Sequence, residues 1–407
     1  MTPVLVADRP TGAEARAPIY LDNQCSTPLD PRVLEAMLPY FREHFGNPGN
    51  ESHPFGRIAA EAVEEARSEV ARLIGAEPRE LIFTSGATES NNLALKGVAR
   101  FVRAYPEESP ERNHIVTVAT EHKSALESCR ALAADGFRVT VLPVEANGLV
   151  ALSRLADAVT EKTLIVSVMA AHNEIGVIEP IAEIAALCRS RGALFHSDAA
   201  QAFGKIPIDV EALGIDLLSI SAHKIYGPKG VGALYVRRRP RVRLLPLFDG
   251  GGEERGLRPG TLPAPLCIGL GRAAAIARAE MAEEGERVKS LRERMLSALL
   301  SRVPGLELNG DAQRRLPGNL NLSVPGIGAA ELIAACPEIA VSTGAACDSA
   351  AVEPSYVLRA LGRSDEEAGS AVRIGLGRFT TAEEVDFAAL ALAAAVERLQ
   401  SAKRSPK

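Results

Sequence analysis

Residues 217–224 have the sequence LLSISAHK, an apolar run that ends in a hydroxyl, an imidazole and an amine before Gly227 and Pro228 turn the chain. The run is short and is followed by turn residues, which predicts a buried strand with Lys224 at its end. A lysine that a strand delivers to the mouth of a pocket is desolvated, and desolvation favours the neutral amine that makes Schiff bases. A lone lysine after a strand is more often a surface residue, so the interpretation of Lys224 depends on its companions.

Similar apolar runs rich in Val and Ile alternate with helical patterns on both sides of this segment. Strands are predicted at 81–84, 115–118, 139–142, 164–169, 193–197, 217–220 and 233–236. Amphipathic helices are predicted between them, for example at 59–74, 124–134 and 181–191. This alternation predicts an α/β domain in which helices cover both faces of a mostly parallel, seven-stranded sheet.

The pattern changes from about Pro263 onward. A long helix rich in Ala, Arg and Glu is predicted to about Val303, followed by short strands at 319–324 and 372–376 and an Ala-rich final helix. We therefore predict two domains and an extension. The large domain spans 30–279, the smaller α+β domain combines 18–29 with 280–407, and residues 1–17 form a flexible extension.

Composition narrows the class of protein. The chain has 407 residues, is 46% hydrophobic and carries a formal net charge of -5, so it offers no global attraction for nucleic acid or an anionic membrane. Neither a signal-like start nor an uninterrupted apolar span occurs, which predicts a soluble, cytoplasmic protein that binds neither nucleic acid nor membrane. Six cysteines without a CxxC pair make disulfides and an all-protein zinc site unexpected.

A candidate phosphate site follows the first of the predicted strands. The run TSGATESN at 84–91 opens a helical pattern, so backbone N–H groups and small side chains lie where an anion can bind. Gly86, Ala87 and Thr88 are its centre. An ordinary helix N-cap by Ser85 or Thr88 explains the same pattern equally well.

A candidate carboxylate lies in the run FHSDAAQ at 195–201, which ends another apolar strand with Asp198 and places Gln201 three residues later. Both side chains can face the crevice beyond the strand ends, where open α/β sheets bind ligands. An isolated aspartate there is more often a loop cap. A carboxylate, a Schiff-base lysine and a phosphate site together are, however, the set that pyridoxal phosphate requires, because the acid keeps the pyridine nitrogen protonated.

Two further residues have functional and structural interpretations. His122 follows the strand at 115–118 and could stack on a cofactor ring and move protons, or could be a hydrogen-bonded histidine at a helix start. Cys347 lies in VSTGAACDSAA at 341–351, where small neighbours suit a mobile loop that presents a nucleophile. A structural cysteine would more often lie among Leu, Ile and Val.

With these residues assembled, the chain resembles the cysteine desulfurases of the iron–sulfur-cluster and nitrogen-fixation type, pyridoxal-phosphate enzymes of the aminotransferase fold (fold type I, class V). The resemblance extends from about Ile19 to the final helix. It rests on motifs that occur in order along the chain, namely YLD (20–22), FTSGATES (83–90), TEHK (120–123), NEIG (173–176), HKIYGPKG (223–230), GTLP (260–263) and EPSYVLR (353–359).

The resemblance implies roles around the cofactor ring. Lys224 is the Schiff-base lysine, Asp198 pairs with the pyridine nitrogen, and His122 is the acid/base stacked on the ring. Gln201 and Asn173 bond near the ring hydroxyl. The residues implied for the phosphate are Ala87, Thr88, Ser221 and His223, joined by Thr261 from a second subunit.

The resemblance also implies the reaction and its partners. Arg373 binds the carboxylate of L-cysteine through a bidentate pair. Cys347 attacks the substrate sulfur, which leaves L-alanine and a persulfide on Cys347 for a sulfur-acceptor protein, such as an iron–sulfur scaffold. The working unit is a homodimer because Thr261 acts across the interface. No resident metal is implied, and Cys347 is the one residue open to transient iron–sulfur ligation.

The sequence departs from the family pattern at three positions. Cys25 replaces the usual alanine, and it is either a small packing residue or a thiol that relays sulfur or forms a regulatory disulfide with Cys347. Asp348 follows the nucleophile where a neutral hydroxyl residue is common, so we expect a less acidic thiol and slower or partner-dependent transfer. His172 is interpreted as pocket lining.

Two alternative functions remain at this point. A selenocysteine lyase or another pyridoxal-phosphate carbon–sulfur lyase needs no persulfide-forming thiol, so Cys347 argues against it. A non-catalytic docking platform for sulfur transfer would have little reason to keep Lys224, Asp198, His122 and Cys347 together. The basic run RRRPRVR at 237–243 could dock an acidic acceptor, although a solvated strand edge explains it as well.

Overall fold

The computed structural model describes residues 18–108, 112–343 and 354–404. Its strands, in chain order, are β1 (Ile19–Tyr20), β2 (Leu81–Thr84), β3 (His114–Val118), β4 (Arg138–Leu142), β5 (Thr163–Ser167), β6 (Leu194–Asp198), β7 (Leu217–Ser221), β8 (Gly232–Val236), β9 (Glu307–Leu308), β10 (Asn319–Ser323), β11 (Ile339–Ala340), β12 (Ser342–Thr343) and β13 (Ala371–Gly375).

The helices of these residues include two long ones in the second half of the chain. In chain order they are α1 (Pro31–Arg42), α2 (Pro54–Leu73), α3 (Ala87–Ala104), α4 (Lys123–Ala134), α5 (Leu152–Ala158), α6 (Ile181–Ser190), α7 (Val210–Leu213), α8 (Ala264–Leu300), α9 (Ala329–Ala334), α10 (Tyr356–Ala360), α11 (Asp365–Gly369) and α12 (Ala382–Arg404). Short 3-10 turns occur at Pro78–Glu80, Pro106–Glu108, Ala222–Lys224 and Glu253–Gly256.

The main sheet of the described residues has seven strands in the spatial order β2-β8-β7-β6-β5-β3-β4. The neighbouring pairs are parallel except where β8 is involved, which runs antiparallel to β2 and β7. The predicted α/β architecture with a mostly parallel seven-stranded sheet is therefore confirmed, and each predicted sheet strand lies within two residues of its observed bounds. The helix expected at 59–74 begins earlier, because Pro54 fits the first turn and the His53 side chain caps Gly56 N.

Alternation along each strand decides which face of the sheet a side chain covers. In β7, Leu217 packs in the core formed with α3 and α4, whereas Leu218 and Ile220 pack in the opposite core with α2, α6 and α8. Both faces are thus covered by helices, as an apolar parallel sheet requires. Hydrogen bonding in register sets Asp198 beside Ser219, so the carboxyl ends of β6 and β7 lie together.

A separate core belongs to the small antiparallel sheet, in which the described strands have the order β12-β13-β10-β9. Helix α8 contributes to both cores: Cys267 to Ala277 pack with the main sheet and Val288 to Leu299 pack with the small one. The domain boundary expected after residue 279 falls between these two parts of the helix and remains a prediction. The expected extension at 1–17 lies outside the described residues. No helix in the described ranges has the length and apolar character needed to cross a membrane.

Candidate active site

A cavity of about 440 Å³ opens at the carboxyl ends of the central strands. Its volume is within the range of small-molecule sites. The side chains around it come from the segment after β1, from the turns after β2, β3 and β5, from the ends of β6 and β7 with the turns that follow them, and from β13. The residues expected from the sequence that line it are Ala87, Thr88, His122, Asn173, Asp198, Gln201, Ser221, His223, Lys224 and Arg373.

Lys224 ends the 3-10 turn that follows β7. Its Nζ donates to the backbone oxygens of Gln24 at 2.7 Å and Cys25 at 2.6 Å. These bonds hold the amine against the segment that follows β1, at the wall of the cavity. The buried strand therefore delivers the lysine to a pocket, as its sequence predicted.

The start of α3 forms one side of the cavity, where an anion-binding site was predicted. The N-cap is Gly86, with φ 148°, and no side chain caps the helix. The alternative N-cap by Ser85 or Thr88 is therefore wrong, because a left-handed backbone that favours glycine opens this helix instead. An uncapped N-terminus presents backbone N–H groups and the positive end of the helix dipole to a ligand. His223 also lines the cavity, and burial lowers its pKa to about 4, so its ring is neutral.

Asp198 and Gln201 are both held by hydrogen bonds. Asp198 Oδ1 accepts from Ala200 N at 2.8 Å, so the loop-cap interpretation is correct for this oxygen. The other oxygen, Oδ2, accepts from Asn91 Nδ2 at 2.6 Å. Gln201 Nε2 donates to Gln24 O at 2.8 Å, and its Oε1 accepts from Lys205 Nζ at 3.0 Å. Both side chains are buried in fixed orientations.

His122 is the hydrogen-bonded histidine at a helix start, and its position at the cavity leaves the ring-stacking role as a prediction. It is the N-cap of α4, where Nδ1 accepts from Ser124 N at 3.1 Å, and it also lines the cavity. Burial lowers the pKa of His122; Lys224 and Lys123 lower it further, against the opposing effect of Asp198. The ring is consequently a neutral imidazole near pH 7.

Arg373 is 1% exposed and is already partnered on one side. Its Nη2 donates to Asp22 Oδ1 at 2.9 Å, and its Nη1 donates to Asn173 O at 3.2 Å. Its Nε has no partner in the described part of the chain. The guanidinium is thus oriented by a carboxylate behind it and keeps donor capacity for an anion in the cavity.

Some expected residues do not join this cavity. Thr261 is exposed and does not line it within one chain. Cys347 and Asp348 lie outside the described residues. The pocket-lining interpretation of His172 is wrong: this buried ring bonds Thr120 O through Nε2 at 2.7 Å and supports the wall from behind.

Sequence reasoning missed residues that act through neighbours. Gln24 contributes a backbone oxygen to both Lys224 and Gln201, although nothing in its local pattern marks it. Lys205 follows Gln201 by four residues, a spacing that would have suggested contact only on a helix. Asn91 ends the TSGATESN motif and could have been singled out as a polar residue one turn into α3. Cys25, which sequence comparison did flag, is exposed and lines the cavity.

Comparisons with known proteins agree with this geometry. Residues 19–387 match the family model of class V aminotransferases. The chain is 55% identical over 384 residues to cysteine desulfurase IscS of Rickettsia rickettsii (strain Iowa), covering 94% of this chain and 92% of that protein. The corresponding protein of Rickettsia akari (strain Hartford) is 55% identical over 389 residues, with coverages of 96% and 93%. A solved NifS-like protein superposes with a TM-score of 0.85 at 38% identity and covers 94% of this chain and 99% of its own.

The chain belongs to the class V aminotransferase family, and within it to the cysteine desulfurases. The resemblance, the fold-type-I architecture and the desulfurase function expected from the sequence are thereby confirmed. These relatives favour neither a simple carbon–sulfur lyase nor a non-catalytic platform. Enzymes of this family depend on pyridoxal phosphate.

Proposed function

We propose that the cavity binds pyridoxal 5'-phosphate and that the chain uses it to take sulfur from L-cysteine, leaving L-alanine and a persulfide on Cys347. The observation that carries the proposal is the meeting of Lys224, Asp198 and the uncapped start of α3 in one cavity. An amine, a carboxylate and an anion site are the three groups that this cofactor needs from a protein.

The described residues fit the phosphate and the ring. The phosphate side has the start of α3, and its four expected ligands are Ala87, Thr88, Ser221 and His223. On the ring side Asp198 would pair with the pyridine nitrogen, Gln201 and Asn173 would bond near the ring hydroxyl, and Lys224 would hold the cofactor covalently. His122 would lie against the ring. When bound, the cofactor supplies an electron sink that eases carbon–sulfur cleavage.

Arg373 binds the carboxylate of the substrate. Asp22 accepts from Arg373 Nη2 and also from Ser342 Oγ, at 2.6 Å, so the guanidinium is held from behind by an oriented carboxylate. A pre-oriented guanidinium loses little entropy when it binds a carboxylate in two-point fashion. Arg373 therefore orients L-cysteine by its carboxylate and leaves the thiol side for Cys347.

Both attachment points of the segment that carries Cys347 support its role as the nucleophile. On the upstream side, Ser342 pairs with Arg373 between β12 and β13. On the downstream side, Ser355 Oγ donates to Glu174 Oε2 at 2.6 Å, next to Asn173 in the cavity wall. Both ends of the segment that carries Cys347 thus attach beside residues of the cavity, where thiolate attack on the substrate sulfur would form the persulfide.

A homodimer in which Thr261 serves the partner's cavity completes the proposal. Thr261 is exposed at the end of a loop and lies outside the cavity of its own chain. Phe41, Phe45 and Phe55 are also exposed, and the rings of Phe45 and Phe55 stack at 5.6 Å, which makes an apolar surface suited to burial. Co-expression of Thr261→Ala with Lys224→Ala chains tests this arrangement. Activity in the mixed dimer above that of either variant supports exchange of Thr261, and its absence contradicts it.

The persulfide sulfur is transferred to an acceptor protein, for which we propose an iron–sulfur scaffold. We propose that this transfer takes place in the cytoplasm. The IscS relatives support this class of acceptor. The deciding experiment supplies sulfur-labelled cysteine to wild type and Cys347→Ala, and measures both alanine and protein-bound sulfur. Loss of both products in the variant is expected, whereas alanine formation without Cys347 would indicate a lyase. Borohydride should bleach the yellow colour of wild type and leave the reduced cofactor covalently bound to the protein; the absence of such attachment in Lys224→Ala would separately establish the cofactor linkage.

A further inference from the structure

A line of hydrogen bonds joins His122 to Asp198 through two residues to which the reaction assigns no role. Asn91 Nδ2 donates to Asp198 Oδ2 at 2.6 Å and to Ser124 Oγ at 2.8 Å. Ser124 Oγ lies 2.7 Å from His122 Nδ1. The line crosses from β6 through α3 to α4 and connects residues far apart in the chain.

Chemistry sets the direction of each of these bonds. A carboxylate only accepts, so the Asn91 amide must turn its nitrogen toward Asp198. The second amide hydrogen then goes to Ser124 Oγ, which leaves the hydroxyl hydrogen for His122 Nδ1. The backbone N–H of Ser124 also points at Nδ1, at 3.1 Å, and it can only donate. Nδ1 therefore accepts two hydrogen bonds, and the proton of the neutral ring is on Nε2.

We propose that Asn91 and Ser124 are positioning residues that hold His122 as the neutral tautomer protonated at Nε2 and tie its ring to Asp198. This inference rests on the function proposed above, in which His122 and Asp198 contact the cofactor ring. It assigns His122 a defined starting state: the ring presents an N–H donor to the cavity, and taking up a proton requires displacement of the donors at Nδ1.

The packing of Asn91 supports this assignment. The residue is fully buried, and its Oδ1 has no partner in the described ranges. Burying an amide with an unsatisfied oxygen is costly, so a structural role alone would be better served by an apolar side chain. Both donors of the amide are used, and both lead to residues of the cavity.

Burial is the largest effect that lowers the pKa of His122 and so favours its neutral ring. Lys224, after β7, and Lys123, on α4, both oppose a cationic ring, while Asp198 on β6 favours one. Burial, the two lysines and the hydrogen bonds to Nδ1 thus keep the imidazole neutral against the effect of Asp198.

The test uses the holoenzyme with its histidines labelled by ¹⁵N. Two-bond nitrogen–proton correlations report which ring nitrogen carries the proton, and His122→Gln identifies the signal. Wild type should show a protonated Nε2 and an unprotonated Nδ1. Ser124→Ala removes one donor to Nδ1, so the proton affinity of His122 should rise about fivefold, and Asn91→Ala should raise it less. Ser124→Thr keeps the hydroxyl and should restore the wild-type titration.

Matched controls are Ser128→Ala and Asn92→Ala, since the serine of α4 donates to Ser124 O and the asparagine of α3 donates to Thr88 O. Both should titrate as wild type. In the two test variants kcat should fall with little change in KM. A proton on Nδ1 in wild type, or unchanged titration in Ser124→Ala, would overturn the proposal. The tautomer is also measured in cofactor-free protein, so a failure of the desulfurase assignment would be visible separately as missing alanine and persulfide.

Discussion

Lys224 and Gln201 donate to one acceptor, the backbone oxygen of Gln24, at 2.7 and 2.8 Å. Gln24 belongs to the segment that follows β1, which bonds the small sheet through Asn23 N and Gly375 O at 3.2 Å. A single carbonyl therefore aligns the Lys224 amine with the Gln201 amide, which is proposed to lie at the ring hydroxyl. Any shift of this segment displaces both groups together, which couples the small sheet to the geometry of the cavity.

Lys205→Met should weaken pyridoxal phosphate binding about tenfold, because Gln201 Oε1 loses its donor at 3.0 Å. Burial and the nearby Lys224 lower the pKa of Lys205 to about 7. The lysine is charged below this pH, so the loss should be larger at about pH 6 than at about pH 9. Titration of cofactor-free protein with pyridoxal phosphate, followed by absorbance, measures the affinity at each pH. Lys205→Arg keeps a donor and the exposed Lys162→Met is the control; equal loss in all three variants would contradict the prediction.

Glu174→Gln should change how stability depends on pH. Burial raises the pKa of Glu174 from 4.5 to about 7, so the folded state holds an extra proton between these values. The favourable contribution of this protonated group is complete below the unfolded pKa and is lost as the pH rises through about 7. Relative to wild type, the variant should gain up to about 3 kcal/mol between about pH 5 and about pH 8.

Urea unfolding at the two pH values measures this difference. The exposed Glu397→Gln provides the control, since it removes a carboxylate without altering a buried group. A constant difference between Glu174→Gln and wild type at both pH values would show that Glu174 does not titrate in this range. The bond from Ser355 Oγ to Glu174 Oε2 makes the same variant a probe of the downstream anchor of the Cys347 segment.

Arg67→Met should lower the free energy of unfolding by about 3–5 kcal/mol, because it leaves the buried carboxylate of Glu254 without its cationic partner. The two side chains are 4% and 2% exposed and form two hydrogen bonds, at 2.6 and 2.8 Å. Arg67→Met with Glu254→Met should recover part of the loss, since neither charge then remains buried. Arg130→Met, in an exposed pair with Glu127, should change stability little. Denaturant unfolding measures these changes in the free energy of unfolding. Equal effects of Arg67→Met and Arg130→Met would contradict the prediction.

Cys25 should be the described cysteine that reagents reach first. It is exposed at the cavity, whereas burial raises the pKa values of Cys129, Cys188 and Cys267 to about 12. In Cys347→Ala protein, iodoacetamide should modify Cys25 at least about tenfold faster than these three, as measured by peptide mass spectrometry. Modification of all four at one rate would mean that the fold opens.

The relay or regulatory disulfide between Cys25 and Cys347 remains a prediction. After incubation with L-cysteine, Cys25→Ala should show an altered pattern of persulfides and disulfides if the thiol takes part. A matched Cys336→Ala variant removes a buried thiol of the small core. If Cys25→Ala shows the wild-type pattern of persulfides and disulfides and the wild-type rate, Cys25 is a small packing residue in place of alanine.

The order of strands and helices was predictable because it depends on local periodicity. The run at 217–224 already indicated a buried strand with a lysine at its end, and FHSDAAQ placed a carboxylate at the end of another. The N-cap of α3 was not decided by its sequence, because Ser85 and Thr88 are better caps than Gly86. The left-handed backbone at Gly86 settled that choice.

By itself, the sequence determined the sheet, the family and the chemical types of the main cavity residues, since short-range patterns and ordered motifs contain that information. Tertiary structure alone decided which polar groups share a hydrogen bond. Lys224 meets Gln24 across 200 positions, and Asn91 meets Asp198 across 107. Such contacts depend on how strands and helices pack, and packing is a property of the whole chain that no local pattern records.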